Sequence, residues 1–150
     1  MSTRDKISNP GGCRDMEGIH EKKPITTDKA PAPVGPYSQG IIAGCLLFVS
    51  GQIPLYPDTG KPVMGNFRAA ARRAMENLKA IVEASGASMG DVVKVTVYIR
   101  DIKKFPEFNE VYKEYFDPPY PARAVVEVSN LPLNAPLEVE AVVYICGRTR

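Results

Sequence analysis

Histidine is almost missing from this chain: its 150 residues hold one, His20, ahead of the first convincing strand. A Ser-His-Asp triad, a His-paired cysteine or a multi-histidine zinc site needs imidazoles in the body of the fold, and the sequence supplies none there. Tryptophan is absent, and the three cysteines (Cys13, Cys45 and Cys146) have no CxxC spacing. Cys45 and Cys146 lie in apolar runs and read as small buried hydrophobes, while Cys13 reads as exposed, with no neighbour that would lower its pKa. Neither GxxxxGKS/T nor GxGxxG occurs, so both phosphate-cradling loops are excluded. No apolar run approaches the roughly 18 residues of a membrane span. Met1 to Pro10 lacks the apolar stretch of a secretory signal, which makes the cytoplasm the expected compartment. Charge of one sign is also lacking, with 19 Lys and Arg against 17 Asp and Glu. That balance argues against an electrostatic binder of nucleic acid or of a membrane surface. Chemistry is left to arginine, lysine, carboxylates, tyrosine, serine and the backbone, with no metal or organic cofactor expected.

What is present suits one ordinary domain: 44% apolar and 24% charged residues, enough to build a core without disulfides or metal. Residues 1–23 read as a flexible extension. They carry five basic and four acidic residues, a Pro-Gly-Gly run at 10–12 and no periodic apolar face that could offset their ordering entropy. Met16 lies close to the continuous pattern and is a candidate start of translation. The domain spans 24–150.

Ala30 to Pro36 holds three prolines and predicts a stiff loop. Ser38–Ala43 and Leu46–Ile53 read as strands divided by the turn signal Gly44-Cys45, with a short strand before them at Ile25–Asp28. Asn66 is placed to cap a helix whose apolar residues fall at Phe67, Ala70, Ala71, Ala74, Leu78, Ile81 and Val82, with Gly86 at its end. Its opposite face, with Arg72, Arg73, Glu76, Lys79 and Glu83, reads as solvated. Asp91–Ile99 is rich in β-branched residues and predicts a strand. A second helix begins near Phe105 with Pro106 in its first turn. Its stripe of Phe105, Phe108, Val111, Tyr112, Tyr115 and Phe116 reads as core. Arg123–Val128 and Leu137–Cys146 complete the order β-β-β-α-β-α-β-β, an α+β domain with two helices on one face of a mixed sheet. The uncovered face, with strands as apolar as Leu46–Val49 and Val92–Ile99, predicts oligomerisation.

Alternation of period two puts Arg123, Val125 and Glu127 on one side of their strand, and Glu138 with Glu140 on one side of theirs. A structural Arg–Glu pair on an exposed face satisfies that spacing. So does a site in which the arginine's rigid fork grips a carboxylate and a glutamate holds or deprotonates a water.

Six stretches then carry a resemblance: Ala30-Pro-Ala-Pro-Val-Gly-Pro-Tyr-Ser-Gln-Gly40, Phe48-Val-Ser-Gly-Gln-Ile-Pro54, Glu76-Asn-Leu-Lys-Ala80, Phe108-Asn-Glu-Val-Tyr112, Pro121-Ala-Arg123 and Leu137-Glu-Val-Glu140. Together they resemble the RidA (YjgF) family of imine/enamine deaminases from about Ile25 to Tyr144. The resemblance implies a chorismate-mutase-like protomer, a homotrimer with active sites in the clefts between subunits, and hydrolysis of 2-iminopropanoate and 2-iminobutanoate to 2-keto acids and ammonia. It assigns Arg123 to the substrate carboxylate and Glu138 to the attacking water. Tyr37, Gly51 and Asn109 match pocket positions, Ser50 lies beside Gly51, and the backbone carbonyl of Val125 stands where many members carry a cysteine. The extension before Pro24 matches nothing in the family pattern.

Two other classes share these residues. RNA cleavage or inhibition of translation is reported for some relatives, although an acid–base pair near neutral pKa is hard to build without histidine. A non-catalytic, ligand-sensing trimer would need the same arginine, and turnover separates it from an enzyme.

Overall fold

A computed structural model describes residues 21–146. The extension expected over 1–23, with Cys13, Met16 and His20, lies outside the described residues except for its last three. Of those, Lys23 already pairs in the first strand. The elements follow the expected order: β1 (Lys23–Ile25), β2 (Gly40–Ala43), β3 (Leu46–Gln52), α1 (Phe67–Ala84), β4 (Val92–Ile99), α2 (Phe105–Tyr112), β5 (Ala122–Glu127) and β6 (Leu137–Tyr144). One six-stranded sheet runs β1-β2-β3-β6-β4-β5, parallel between β4 and β5 and antiparallel elsewhere.

Both helices lie on one face. Ala70, Ala71, Ala74, Met75, Leu78, Ile81 and Val82 of α1 pack with Leu47 and Val49 of β3, Val95 and Val97 of β4, and Leu137, Val139 and Val143 of β6. The Asn66 side chain accepts from the Ala69 amide at 3.0 Å and caps α1, and Gly86 follows its end at a positive φ of 88°. That conformation costs glycine little, so the sequence ends the helix there. Asn77 is fully buried on α1. Its amide nitrogen donates to the Ile53 and Leu55 carbonyls at 3.2 and 2.9 Å, tying the loop after β3 to the helix. No helix among the described residues is long and apolar enough to cross a membrane.

Several boundaries differ from the sequence reading: β3, β4, β5 and β6 by one or two residues at an end, and three others for reasons the hydrogen bonds and packing show. β1 lies at Lys23–Ile25 instead of Ile25–Asp28, because beyond Ile25 the ladder gives way to a side chain: the Thr27 amide donates to Gln39 Oε1 at 2.7 Å. Buried Gln39 then donates from Nε2 to the carbonyls of Thr27, Ala30 and Pro31, anchoring the proline loop. For that reason β2 begins at Gly40, not at Ser38. α2 ends at Tyr112, and Tyr115 and Phe116 reach the core from the turns that follow.

The reading of Cys45 and Cys146 as separate buried hydrophobes is corrected. They are partly exposed and joined by a disulfide, with Cα atoms 4.9 Å apart across 101 residues of sequence. Antiparallel pairing of Leu46 with Tyr144 carries the β2–β3 turn to the chain just past β6, where the Ile145 amide donates to the Cys45 carbonyl at 2.9 Å. A link that closes so long a loop restricts the unfolded chain strongly, by an amount on the order of 2–5 kcal/mol. Reduction, or Cys45→Ser with Cys146→Ser, should therefore lower the thermal midpoint by roughly 10 °C or more. Scanning calorimetry with and without reductant checks this, and a midpoint indifferent to reductant contradicts it.

Candidate active site

Two groups of the singled-out residues form, one on each face of the sheet. The first centres on Arg123, in the edge strand β5. It is paired in register with Val95, whose side chain is buried under the helices, so Arg123 also points to the helix side. At that edge α2 stands beside it. Arg123 Nη1 donates to Asn109 Oδ1 at 2.8 Å, and the guanidinium carbon lies 4.7 Å from the Tyr112 ring centroid and 5.4 Å from that of Phe105. Val125, aligned with Val97, follows on the same face. Arg123, Asn109 and Tyr112 border an open cleft of about 640 Å³ with Tyr120 and Pro121. The ion pairs among the described residues involve other arginines and lysines, such as Arg68 with Glu107 and Arg72 with Glu114. Arg123 has no carboxylate within pairing distance among the described residues, which leave its charge uncompensated.

The second group is on the open face. Glu138 and Glu140 of β6 alternate with buried Leu137, Val139 and Ala141, which places both carboxylates on the side away from the helices. Between Val49 and Gln52, β3 takes three residue steps against two on β6, a bulge that sets Ser50 and Gly51 beside the glutamates. Gly51 is required there by space. A Cβ on it would overlap the Glu138 carboxylate, 2.8 Å from the carboxyl carbon. Ser50 is committed differently: its hydroxyl donates to the Ser38 carbonyl and its amide to the Gln39 carbonyl, so it pins β3 to the proline loop. That loop carries Tyr37, half exposed, whose hydroxyl oxygen accepts from the Val34 amide at 3.3 Å.

Burial first, and then the neighbouring Glu140, push the Glu138 carboxyl above the usual carboxylate range. Glu140 accepts a 2.7 Å hydrogen bond from the Tyr98 hydroxyl. Burial pushes the Tyr112 hydroxyl up to about 12, and it has no hydrogen-bond partner among the described residues. No cluster of three or more His, Cys, Asp or Glu among the described residues could hold a metal ion.

The structure thus gathers Arg123, Asn109 and Val125 in one place and Glu138, Gly51 and Ser50 in another. It does not bring the two together within a chain. Tyr98 pairs with Glu138 and Val95 with Arg123, so the two charges stand three steps apart along β4, about 10 Å, on opposite faces. Sequence reading missed Phe105, Tyr112 and Tyr98 as parts of these groups, and placed Glu140 beside Glu138 without giving it a role. The signal for the first two was their i, i+4, i+7 spacing with Asn109, read only as core.

The fold and its charged groups give the class first: a one-sheet, two-helix α+β domain with Arg123 on the helix side of its sheet and the half-buried Glu138 on the other side. The comparisons agree in kind. Residues 27–145 match a family described as Endoribonuclease L-PSP, and the chain belongs to this family, the RidA/YjgF/RutC proteins. A RutC family protein of Pyrococcus abyssi is 53% identical over 123 residues, covering 82% of this chain and 97% of its own. A protein of Dermatophagoides farinae named 2-iminobutanoate/2-iminopropanoate deaminase is 48% identical, covering 83% and 97%. The crystal structure of Escherichia coli TdcF with bound serine superposes with a TM-score of 0.78 at 45% identity, covering 85% of this chain and 99% of that one.

Because Glu140 contributes to the raised proton affinity of Glu138, Glu140→Gln should lower the Glu138 titration midpoint while leaving it above that of an exposed glutamate. Burial remains the larger cause in the variant. Carboxyl carbon NMR titration measures this directly, and an unmoved midpoint would show that the two glutamates do not interact.

Proposed function

We propose that this protein hydrolyses reactive 2-imino acids, with 2-iminopropanoate and 2-iminobutanoate as the substrate class, to 2-keto acids and ammonia in a site assembled between protomers of a homotrimer. The observation that carries this reading is the opposed placement of Arg123 and Glu138: neither group is ion-paired among the described residues, and a site using both needs a second chain to set one before the other. The open sheet face supports association, since Phe48, Val126 and Tyr144 stand on it about half exposed, where an apolar surface gains from a second copy. The names of two relatives, the deaminase of Dermatophagoides farinae and the reactive intermediate deaminase TdcF of Escherichia coli, support the chemistry.

In this mechanism Arg123 holds the substrate carboxylate through parallel N–H donors and fixes the planar C2 carbon. Glu138, as carboxylate, takes a proton from a water that adds to C2 of the protonated imine, so the nitrogen becomes the amine of a carbinolamine. Glu138 then gives that proton to the nitrogen, the C–N bond breaks and ammonia leaves, and the hydroxyl proton passes back to Glu138 as its oxygen becomes the keto oxygen. Burial that raises the proton affinity of Glu138 suits a group which must both take and return a proton near neutral pH. Gly51 leaves the room in which the carboxylate sits. The Val125 carbonyl is the acceptor assigned to the substrate nitrogen. The reaction needs no redox partner, and a cytoplasmic setting beside enzymes that release imino acids is part of the same proposal.

RNA cleavage, which the family description names, would have to use this same histidine-free inventory. It is the second reading, and ribonuclease activity that disappears in Arg123→Ala would favour it.

The test couples the purified protein to a serine or threonine dehydratase and follows keto-acid release. Arg123→Ala should lower kcat/KM by about 100-fold, the loss of a charge-assisted bidentate contact. Mixing inactive Arg123→Ala and Glu138→Gln protomers should restore about one third of the wild-type activity per mixed trimer, because one of its three sites then joins an intact arginine to an intact glutamate. No acceleration by the wild-type protein defeats the deaminase reading, and no complementation defeats the shared site.

A further inference from the structure

Arginines that are held rigidly in proteins are commonly held by a carboxylate, which also cancels their charge. Arg123 is held without that cancellation. Phe105, Asn109 and Tyr112 lie at i, i+4 and i+7 of α2, on one side of the helix, and all three face the guanidinium. Asn109 accepts one N–H at 2.8 Å and carries no charge, while the two rings offer their negative faces at 4.7 and 5.4 Å. The Tyr112 ring is itself fixed, 5.6 Å from the ring of Phe108 and 4.7 Å from that of Phe116, both buried. The cradle is therefore anchored in the core, while its Asn109 and Tyr112 border the cleft beside Arg123.

We propose that Phe105 and Tyr112 are positioning residues for carboxylate binding: they orient the Arg123 fork by cation–π contact and leave its full positive charge, and the N–H donors Asn109 does not use, to the substrate. The proposal rests on the deaminase reading and adds to it a pair of residues that touch the arginine and not the reacting atoms. It also explains why an aromatic stripe continues to the exposed start of α2, where Phe105 does not share the full burial of Phe108.

The experiment compares wild type, Phe105→Leu, Phe105→Glu, Tyr112→Leu and Tyr112→Phe. It reads binding of 2-ketobutanoate by calorimetry, KM and kcat in the dehydratase-coupled assay, and the melting midpoint. Phe105→Leu should weaken keto-acid binding and raise KM about 5- to 10-fold, with kcat held within about twofold, since ring contact is lost and the chemistry is untouched. Phe105→Glu should weaken binding further, because a carboxylate there still holds the arginine but cancels it. Tyr112→Phe keeps the ring and should restore the KM lost in Tyr112→Leu. If Tyr112→Leu does not fold, the two Phe105 variants decide the matter. Unchanged binding and KM in Phe105→Leu, or a Phe105→Glu variant that binds as well as Phe105→Leu, overturns the cradle. A wild-type protein that neither binds the keto acid nor accelerates imine hydrolysis instead overturns the deaminase reading beneath it.

Discussion

A β-strand sends successive side chains to opposite faces, and in this sheet that alternation keeps the two charged groups of the candidate site apart. Arg123 shares the face of Val95 and Val97, under the helices; Glu138 shares the face of Tyr98 and Glu140, away from them. A one-residue slip of β5 or β6 would put the arginine into water or the glutamate into the core. Register is therefore the constraint on which any chemistry depends. It is fixed by the hydrophobic residues that alternate with the charged ones, Leu137, Val139 and Ala141 on β6 and Val95, Val97 and Ile99 on β4, all buried. The apolar half of each strand decides where the polar half stands.

The bulge in β3 is a local departure from that regularity beside Glu138, and its cause can be traced. Ser50 gives both its hydroxyl and its amide to the proline loop, Gln39 gives its side chain to three carbonyls of the same segment, and Gly51 is left with no side chain where Glu138 must pass. Polar side chains thus replace ladder bonds that the bulge and the loop would otherwise leave unmade. The room for the Glu138 carboxylate is a by-product of this stitching, because a regular strand with any residue larger than glycine at 51 would fill it.

Element order and fold class were legible in the sequence because each signal had a single physical source: the period-3.6 stripe of α1, the β-branched run of β4, and the Asn66 and Gly86 caps. Which residues share a face within a strand was legible too. What alternation within a strand cannot say is how the faces of two strands relate, since that depends on the intervening β4 and on the parallel register of Val95 with Arg123. For the same reason Cys45 and Cys146 read as unrelated: nothing local announces that β3 and β6 are neighbours. The aromatic residues of α2 were read as core, and Phe108 and Phe116 bear that out. Tyr112 serves the core and the arginine at once, and a stripe pattern has no way to register a residue with two neighbours of different kinds.

The disulfide and the candidate site lie at opposite ends of β6: Glu138 is at its start, and Cys146 follows its last residue, Tyr144. A change in the link therefore alters the stability of the sheet as a whole more directly than the geometry around Glu138. The chemistry asks little of that geometry beyond charge placement. For the proposed reaction an imine is already electrophilic at carbon, so a held carboxylate and one proton-accepting group, each lowering the barrier by roughly a few kcal/mol, suffice where an amide would need far more. In the proposed reaction one histidine in the chain is no obstacle, because gripping the carboxylate asks only for an oriented guanidinium, and two rings and an amide hold Arg123 without a neutralising acid among the described residues.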